Sequence, residues 1–167
     1  VLNFFDSFFK KDNDLEKMNF SLEIGPHTDL ETLPPVKDVY VTMLPGGDYK
    51  ETADKSGDLV KKGFNPVPHF PARSINNEEE LKEYVSRCKD QGVKQALVIG
   101  GSREPIGKFD SSFQILETGY LEGIKIGIAG HPEGSPDISE QNLEKAMIDK
   151  KPYADYIVTQ WLLDSQP

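Results

Sequence analysis

The stretch at residues 65–101, NPVPHFPARSINNEEELKEYVSRCKDQGVKQALVIGG, decides the fold. It begins with the short extended segment NPVPHFPA and ends with the apolar strand KQALVIGG. The segment between them, NEEELKEYVSRCKDQG, has an asparagine cap, an acidic first turn and a terminal glycine, which together predict a helix. A strand, a helix and a second strand in this order indicate a βαβ unit with parallel strands.

The same alternation continues through most of the chain. Further helices are predicted in ETADKSGDLVKKG (51–63), DSSFQILETGYLEG (110–123) and SPDISEQNLEKAMIDK (135–150). Further strands are predicted in NFSLEIG (19–25), DVYVTML (38–44), KIGIAG (125–130) and DYIVTQWLL (155–163). The later strands are apolar on both faces, which is typical of a parallel sheet covered by helices.

This rhythm predicts an α/β protein, either a doubly wound sheet or a (β/α) barrel. A closed barrel needs eight strands and typically about 250 residues, whereas six strands are predicted here. We therefore expect a (β/α)8 TIM-barrel type fold with only about its first six units, in residues 18–167. The end of the chain soon after the sixth strand favours an incomplete barrel that lacks its last two units.

Two segments depart from the rhythm. Residues 1–17 place Phe4, Phe5, Phe8 and Phe9 at helical spacing, which predicts an N-terminal amphipathic helix that packs on the domain. The connection between the first two strands, PHTDLETLPPVK, is short and rich in proline. It therefore leaves room for at most one helical turn instead of a full crossover helix.

Composition excludes several classes of function. The net charge of −9 argues against non-specific nucleic-acid binding, which needs basic residues to neutralise phosphates. No apolar run reaches the roughly 18 residues that a membrane span needs. The single cysteine, Cys88, excludes intrachain disulfides and is expected to be a half-buried thiol. We therefore expect a protein of the reducing cytoplasm.

Polar and charged residues gather where the predicted strands end. Because ligands bind at the carboxyl ends of the strands in parallel α/β folds, this gathering predicts a binding site. All three histidines of the chain belong to it. The residues are Glu23, His27, Thr42, His69, Arg73, Gly100, Gly101, Ser102, Arg103, His131, Glu133, Ser135, Asp137, Gln160 and Asp164.

Glu23 is the strongest catalytic candidate because it interrupts an apolar strand. Burial of a carboxylate is costly unless the group is paired or protonated, and a protonated carboxyl group can act as a general acid. Structural pairing is the alternative explanation. The glycines Gly100 and Gly101 can bring backbone amides close to a phosphate. Gln160 is a predicted buried amide, which needs hydrogen-bond partners from a ligand or from the protein.

A separate hypothesis is a metal-dependent barrel hydrolase. In it, Glu23 and the three histidines, His27, His69 and His131, converge on a divalent ion. The sequence contains no HxH or HExxH motif to support this arrangement. Local backbone groups can also satisfy His69 and His131 individually.

Several of these motifs resemble the methylenetetrahydrofolate reductase family. SLEIGPH resembles that family's first strand, S-F-E-F-F-P-P, and VYVTMLPGG is similar to its V-S-V-T-Y-G-A strand. VPHFPARS is similar to its P-H-L-T segment. The most specific similarities are GIAGHPEGSPD to the loop A-x-Y-P-E-x-H-P-E, and ADYIVTQWLLD to the strand A-D-F-I-I-T-Q-x-F-F-D. The similarities occur in the family's order and span residues 20–164.

The resemblance implies an eight-stranded (β/α) barrel that holds FAD at the carboxyl ends of its strands. NAD(P)H reduces the flavin, which then reduces the folate substrate 5,10-methylenetetrahydrofolate to 5-methyltetrahydrofolate. By position, Glu23 matches the acid that protonates the substrate, and Gln160 matches a folate-contacting glutamine. The positions that the resemblance assigns to cofactor binding are Thr42, His69, Gly101, Ser102, His131 and Ser135. No metal is implied, and an oligomer or a partner subunit is expected.

The sequence also differs from the family at the flavin side. Ser102 stands where the family motif L-R-G-D has its aspartate, and His131 and Ser135 replace a tyrosine and a histidine of the strand-five loop. A charge near the flavin ring tunes its reactivity, so the loss of the aspartate is expected to alter hydride chemistry. Two alternatives therefore accompany the reductase: a divergent folate-binding relative without standard flavin use, and a non-catalytic complex subunit.

Overall fold

The structure, a computed structural model, describes residues 20–136 and 138–159. Within these residues, six parallel strands form one sheet in the order β1 to β6, so that each strand lies beside its neighbour in sequence. A doubly wound sheet reverses its strand order, and this sheet does not. The strands are β1 Leu22–Ile24, β2 Asp38–Val41, β3 Asn65–Pro71, β4 Gln95–Ile99, β5 Lys125–Gly130 and β6 Tyr156–Thr159.

The sheet is strongly curled. Tyr40 in β2 and Tyr156 in β6 lie close enough for each to affect the pKa of the other. Four inter-strand steps of about 4.8 Å would place these strands about 19 Å apart in a flat sheet. The contact therefore shows that the sheet curves round as part of a barrel wall, with both tyrosines on its concave face.

Helices connect the strands across the outer face of the sheet. Asp48, Asn77 and Ser139 cap three of the helices, each accepting a hydrogen bond from a backbone amide in the first turn. The prediction of an asparagine cap before the helix of residues 78–90 is thus confirmed. The helices among the described residues are α1 Tyr49–Lys61, α2 Glu78–Asp90, α3 Ser112–Glu117 and α4 Glu140–Lys150.

Two connections test the boundary predictions. Between β1 and β2 the chain forms the short 3-10 helix Leu30–Thr32, which confirms that only about one turn fits there. Helix α3 ends at Glu117, six residues before the predicted end, because Gly119 adopts a positive φ of 70° and starts a turn. The predicted N-terminal helix of residues 1–17 and the predicted strand residues after 159 lie outside the described residues.

The main core lies between the outer face of the sheet and the helices. Phe70 of β3 is fully buried, and its ring stacks on that of Tyr84 in α2 at a centroid distance of 4.1 Å. The hydroxyl of Tyr84 donates a hydrogen bond to the backbone oxygen of His69 at 2.9 Å. Cys88 is fully buried, not half-buried as predicted, and burial raises the pKa of its thiol to about 12. The thiol is therefore protonated and unreactive near neutral pH.

The described helices include none long and apolar enough to cross a membrane. This agrees with the absence of a long apolar run in the sequence.

Candidate functional site

The concave face of the sheet carries the polar side chains of the candidate site. Paired residues of neighbouring strands lie on the same face, and the register pairs Glu23 with Tyr40 and His69 with Leu97. The residues that alternate with them, such as Phe70, point to the helices. One face of each strand therefore builds the core, while the other lines the inside of the curve.

Glu23 and His69 meet across the concave face. The Oε2 atom of Glu23 lies 3.7 Å from the Nε2 atom of His69, although β2 separates their strands. The Glu23 side chain is 62% exposed, so the prediction of a buried carboxylate is wrong. The apolar neighbours that suggested burial point to the opposite face of this short strand. Glu23 is thus accessible to a ligand that enters the curve of the sheet.

His69 is the buried partner in this pair. Its side chain is 9% exposed, and burial alone lowers the pKa of the imidazole to about 4. The ring is therefore neutral near pH 7, and its contact with Glu23 is not an ion pair there. The ring of Tyr40 meets it edge-on, with a centroid distance of 6.1 Å and an interplanar angle of 72°. These contacts fix the ring in place.

Two buried side-chain atoms lack a hydrogen-bond partner within residues 20–136 and 138–159, and both lie on the concave face. They are the Nε2 atom of His69 and the hydroxyl of Tyr156. A buried polar atom without a partner costs free energy, and a bound ligand or water commonly supplies the missing partner. The inside of the curve is therefore prepared to hydrogen-bond a ligand.

Deeper in the curve, near the amino ends of the strands, three polar side chains of β2, β3 and β4 bond to one another. Asp38 of β2 accepts hydrogen bonds from the side-chain amides of Asn65 in β3 and Gln95 in β4. The ring of Tyr156 packs against Gly127, where an added Cβ atom would lie 2.6 Å from it. The side chains of Asp38, Asn65 and Gln95 therefore bond to one another and not to a ligand.

At the carboxyl edge, the predicted cofactor-binding residues occupy the ends of β2 and β4. The Oγ1 atom of Thr42 donates to the backbone oxygen of Ile24 at 3.2 Å, so that it ties β2 to β1. Gly101 has a φ of 94°, which other residues rarely adopt, and Ser102 after it is exposed. The neighbouring Gly100 accepts a hydrogen bond from the backbone amide of Arg73 at 2.9 Å, which joins this loop to the end of β3.

The loop after β5 and helix α4 line a half-open cavity of about 1020 Å³. We call it the β5–α4 cavity. His131 and Ser135, which the resemblance assigned to the cofactor, both line it. The loop is shaped by a turn in which the amide of Gly134 donates to the backbone oxygen of His131 at 3.0 Å. The volume of the β5–α4 cavity is at the upper end of the range for ligand pockets.

The structure does not bring the histidines together. His27 has a 74% exposed side chain and lies 3.6 Å from Glu51 of α1, whereas His131 lines the β5–α4 cavity. No group of three or more metal-ligating His, Cys, Asp or Glu side chains occurs within the described part of the chain. The hypothesis of a metal-dependent hydrolase therefore receives no support from this geometry. Gln160, Asp137 and Asp164 lie outside the described residues.

Three residues of interest escaped the sequence prediction. Tyr40 and Tyr156 were hidden in apolar strand patterns, where a tyrosine is ordinary. The alternation of Tyr40 with Val39 and Val41, which are buried on the other face of β2, is the signal that places Tyr40 on the concave face. Lys150, which is buried beside the β5–α4 cavity, gave no signal because lysine is common at the end of a helix.

The sequence matches no model of a known protein family. Among solved structures, the chain is similar to the YdjI aldolase from Escherichia coli K12, with 12% sequence identity and a TM-score of 0.42. The similarity covers 75% of this chain and 46% of that one, so the chain spans less than half the length of the aldolase. A similarity of this size carries no conclusion about activity.

Proposed function

We propose that this chain is a methylenetetrahydrofolate reductase-like enzyme of one-carbon metabolism. It would pass hydride from NAD(P)H through FAD to 5,10-methylenetetrahydrofolate, giving 5-methyltetrahydrofolate. The observation that carries the proposal is the meeting of Glu23 and His69 on the concave face, 3.7 Å apart. The resemblance had assigned these two residues separately, one as the acid and the other as a flavin contact.

In this proposal the curled sheet is the wall of an eight-unit barrel. The sequential order of six parallel strands and the contact between Tyr40 and Tyr156 support it, since both are expected of a barrel wall. Further strands would close the curve and surround the concave face, supplied by the same protein or by a partner subunit. We place the protein in the cytoplasm, because a chain with a single cysteine forms no intrachain disulfide and is suited to a reducing compartment.

In this proposal a flavin dinucleotide would lie along the carboxyl edge, with its charged pyrophosphate outside the acidic β5–α4 cavity. The unpartnered Nε2 atom of His69 offers a hydrogen bond at one end, and the β5–α4 cavity with His131 and Ser135 lies at the other. Two inter-strand steps of about 4.8 Å separate β3 from β5, a distance that an elongated cofactor spans. Thr42, Gly101 and Ser102 would contact it from the ends of β2 and β4. FAD would supply hydride transfer between the nicotinamide and the folate.

We assign to Glu23 the role of the acid that protonates the folate substrate. Its exposed carboxyl group would donate a proton to the ring nitrogen of the substrate, so that the imidazolidine ring opens. The neutral imidazole of His69 lies beside it and holds no charge that would fix the carboxylate as an ion pair. The bound ligand would exclude water from the site of this proton transfer. Gln160 is proposed as the folate contact.

Titration with FAD tests the cofactor first. We expect a bound flavin with an absorption band at about 450 nm. We expect His69→Gln to weaken the binding of FAD by up to about tenfold through the loss of one hydrogen bond. His27→Gln is the matched control because that side chain is exposed and pairs with Glu51. No binding of FAD by the intact protein would contradict the flavin proposal.

One observation favours a second candidate, a folate-binding relative without flavin. The position at which the family has an aspartate near the flavin ring holds Ser102, which is exposed. Binding of tetrahydrofolate in the absence of FAD, with unchanged affinity after FAD addition, would favour this candidate. Binding of neither ligand would exclude both.

A further inference from the structure

Lys150 stands apart from the other described lysines because it is buried in the wall of a large cavity. It is the last residue of α4, it is 8% exposed, and it lines the β5–α4 cavity. Its Nζ atom donates a long hydrogen bond of 3.4 Å to the backbone oxygen of Ala129 in β5, which lines the same cavity. The amine is thus held against the inner wall.

The described surroundings of Lys150 supply no carboxylate that pairs with its amine. Among the described residues it forms no salt bridge, whereas Lys145 on the same helix pairs with Asp149 at 2.6 Å. Removal of an ammonium group from water without a counter-charge favours the uncharged amine, and burial accordingly lowers the pKa of Lys150. A neutral amine is a nucleophile, whereas an ammonium ion is not.

The charge of the cavity limits what enters it. Glu133, Glu140 and Glu144 line it together with His131, and the chain carries a net charge of −9. Anionic ligands without a dedicated cationic partner are disfavoured by this field. An uncharged electrophile is not disfavoured by this field.

We propose that Lys150 forms a reversible imine with a small uncharged aldehyde in the β5–α4 cavity. The nitrogen lone pair attacks the carbonyl carbon, and one N–H proton is transferred to the carbonyl oxygen to give a carbinolamine. The second N–H proton then leaves with the hydroxyl group as water, which leaves the carbon–nitrogen double bond. His131, Glu140 and Glu144 line the same cavity and are the side chains available to move these protons. The step needs no oxidant or reductant.

This inference does not depend on the proposed reductase activity. The two share the β5–α4 cavity, so FAD bound along the loop after β5 would restrict access to Lys150. Slower reaction of the amine in the presence of FAD would support the cofactor placement, while imine formation without FAD tests the lysine alone.

Reductive trapping distinguishes Lys150 from its neighbour Lys151, which is exposed. The intact protein is incubated with propanal and cyanoborohydride near pH 7, and the propylated lysines are identified by mass spectrometry of peptides. We expect Lys150 to be modified several times faster than Lys151. Equal or slower modification of Lys150 would overturn the proposal.

Two further arms keep the experiment decisive. Glyoxylate, an anionic aldehyde, is expected to modify Lys150 more slowly than propanal does, and equal rates would overturn the assignment of an uncharged ligand. In the wild-type protein, the reaction of Lys150 is expected to appear as a fast phase of propanal consumption. Lys150→Arg is expected to abolish this fast phase, whereas Lys151→Arg is expected to retain it. Circular dichroism and protection of Cys88 from a thiol reagent verify that both variants are folded; a fast phase that persists in folded Lys150→Arg would contradict the proposal.

Discussion

Phe70 and His69 are neighbours in β3, yet they belong to opposite kinds of surface. Phe70 points outwards, is fully buried and stacks on Tyr84, whereas His69 points into the curve with an unpartnered nitrogen beside Glu23. The outer face is filled by side chains that complete each other's packing. The concave face leaves hydrogen-bonding capacity unused. The comparison teaches that stability and ligand binding are divided between alternate residues of the same strands.

The largest effect is expected on the outer face. Phe70→Ala removes a ring from a closely packed core, and such substitutions cost about 3–5 kcal/mol in the free energy of unfolding. Tyr40→Ala removes an aromatic ring from the concave face, where the side chain is only partly buried, and should cost less than half as much. Urea unfolding of both variants measures the difference. Equal costs would show that the two faces do not differ in this way.

His69 sharpens the comparison through pH. Its pKa of about 4 in the folded protein is below the ordinary value of 6.5, so the unfolded chain takes up a proton first as the pH falls. The wild-type protein should therefore lose roughly 3 kcal/mol of stability between pH 6.5 and pH 4 through this residue. Below this pH window the loss of stability is complete, and above it His69 does not change the free energy of unfolding with pH.

The matched variants are His69→Gln and His27→Gln. Urea unfolding at several pH values should show that His69→Gln is less sensitive to acid within this window, whereas His27→Gln, at an exposed position, behaves as the wild type. An unchanged pH dependence in His69→Gln would mean that the imidazole is not buried as described.

The smallest effect concerns the helical layer alone. The side chain of Asn77 accepts a hydrogen bond from the amide of Glu80 at 2.9 Å, and Asn77→Ala should cost about 1 kcal/mol. Asn142→Ala, at an exposed position in the first turn of α4, is the control and should have little effect. Ligand affinity should be unchanged in both variants. A loss of affinity in Asn77→Ala would show that the two faces are coupled.

The fold was largely predictable because its signals are local. The cap at Asn77, the apolar run of β4 and the proline-rich first connection each lie within a few residues, and each was confirmed. The sequential strand order excluded the doubly wound alternative, which local patterns had left open. The site was less predictable because its geometry depends on the curl of the sheet.

Particular residues show this limit. An apolar strand suggested that Glu23 was buried, but its exposure depends on which face of β1 the helices cover. The contact between Tyr40 and Tyr156 joins strands more than a hundred residues apart in sequence, and no spacing rule indicates it. The place of Lys150 beside the loop after β5 is likewise a tertiary feature.

The central claim is that Glu23 is the acid of a flavin-dependent folate reductase, and separate half-reactions test it most directly. Glu122→Gln is the matched control because Glu122 is exposed and lies at the opposite edge of the sheet, just before β5. We predict that Glu23→Gln lowers the rate of folate reduction by at least about a hundredfold, while reduction of FAD by NAD(P)H and both rates in Glu122→Gln are unchanged. Folate reduction at the wild-type rate in Glu23→Gln would contradict the account.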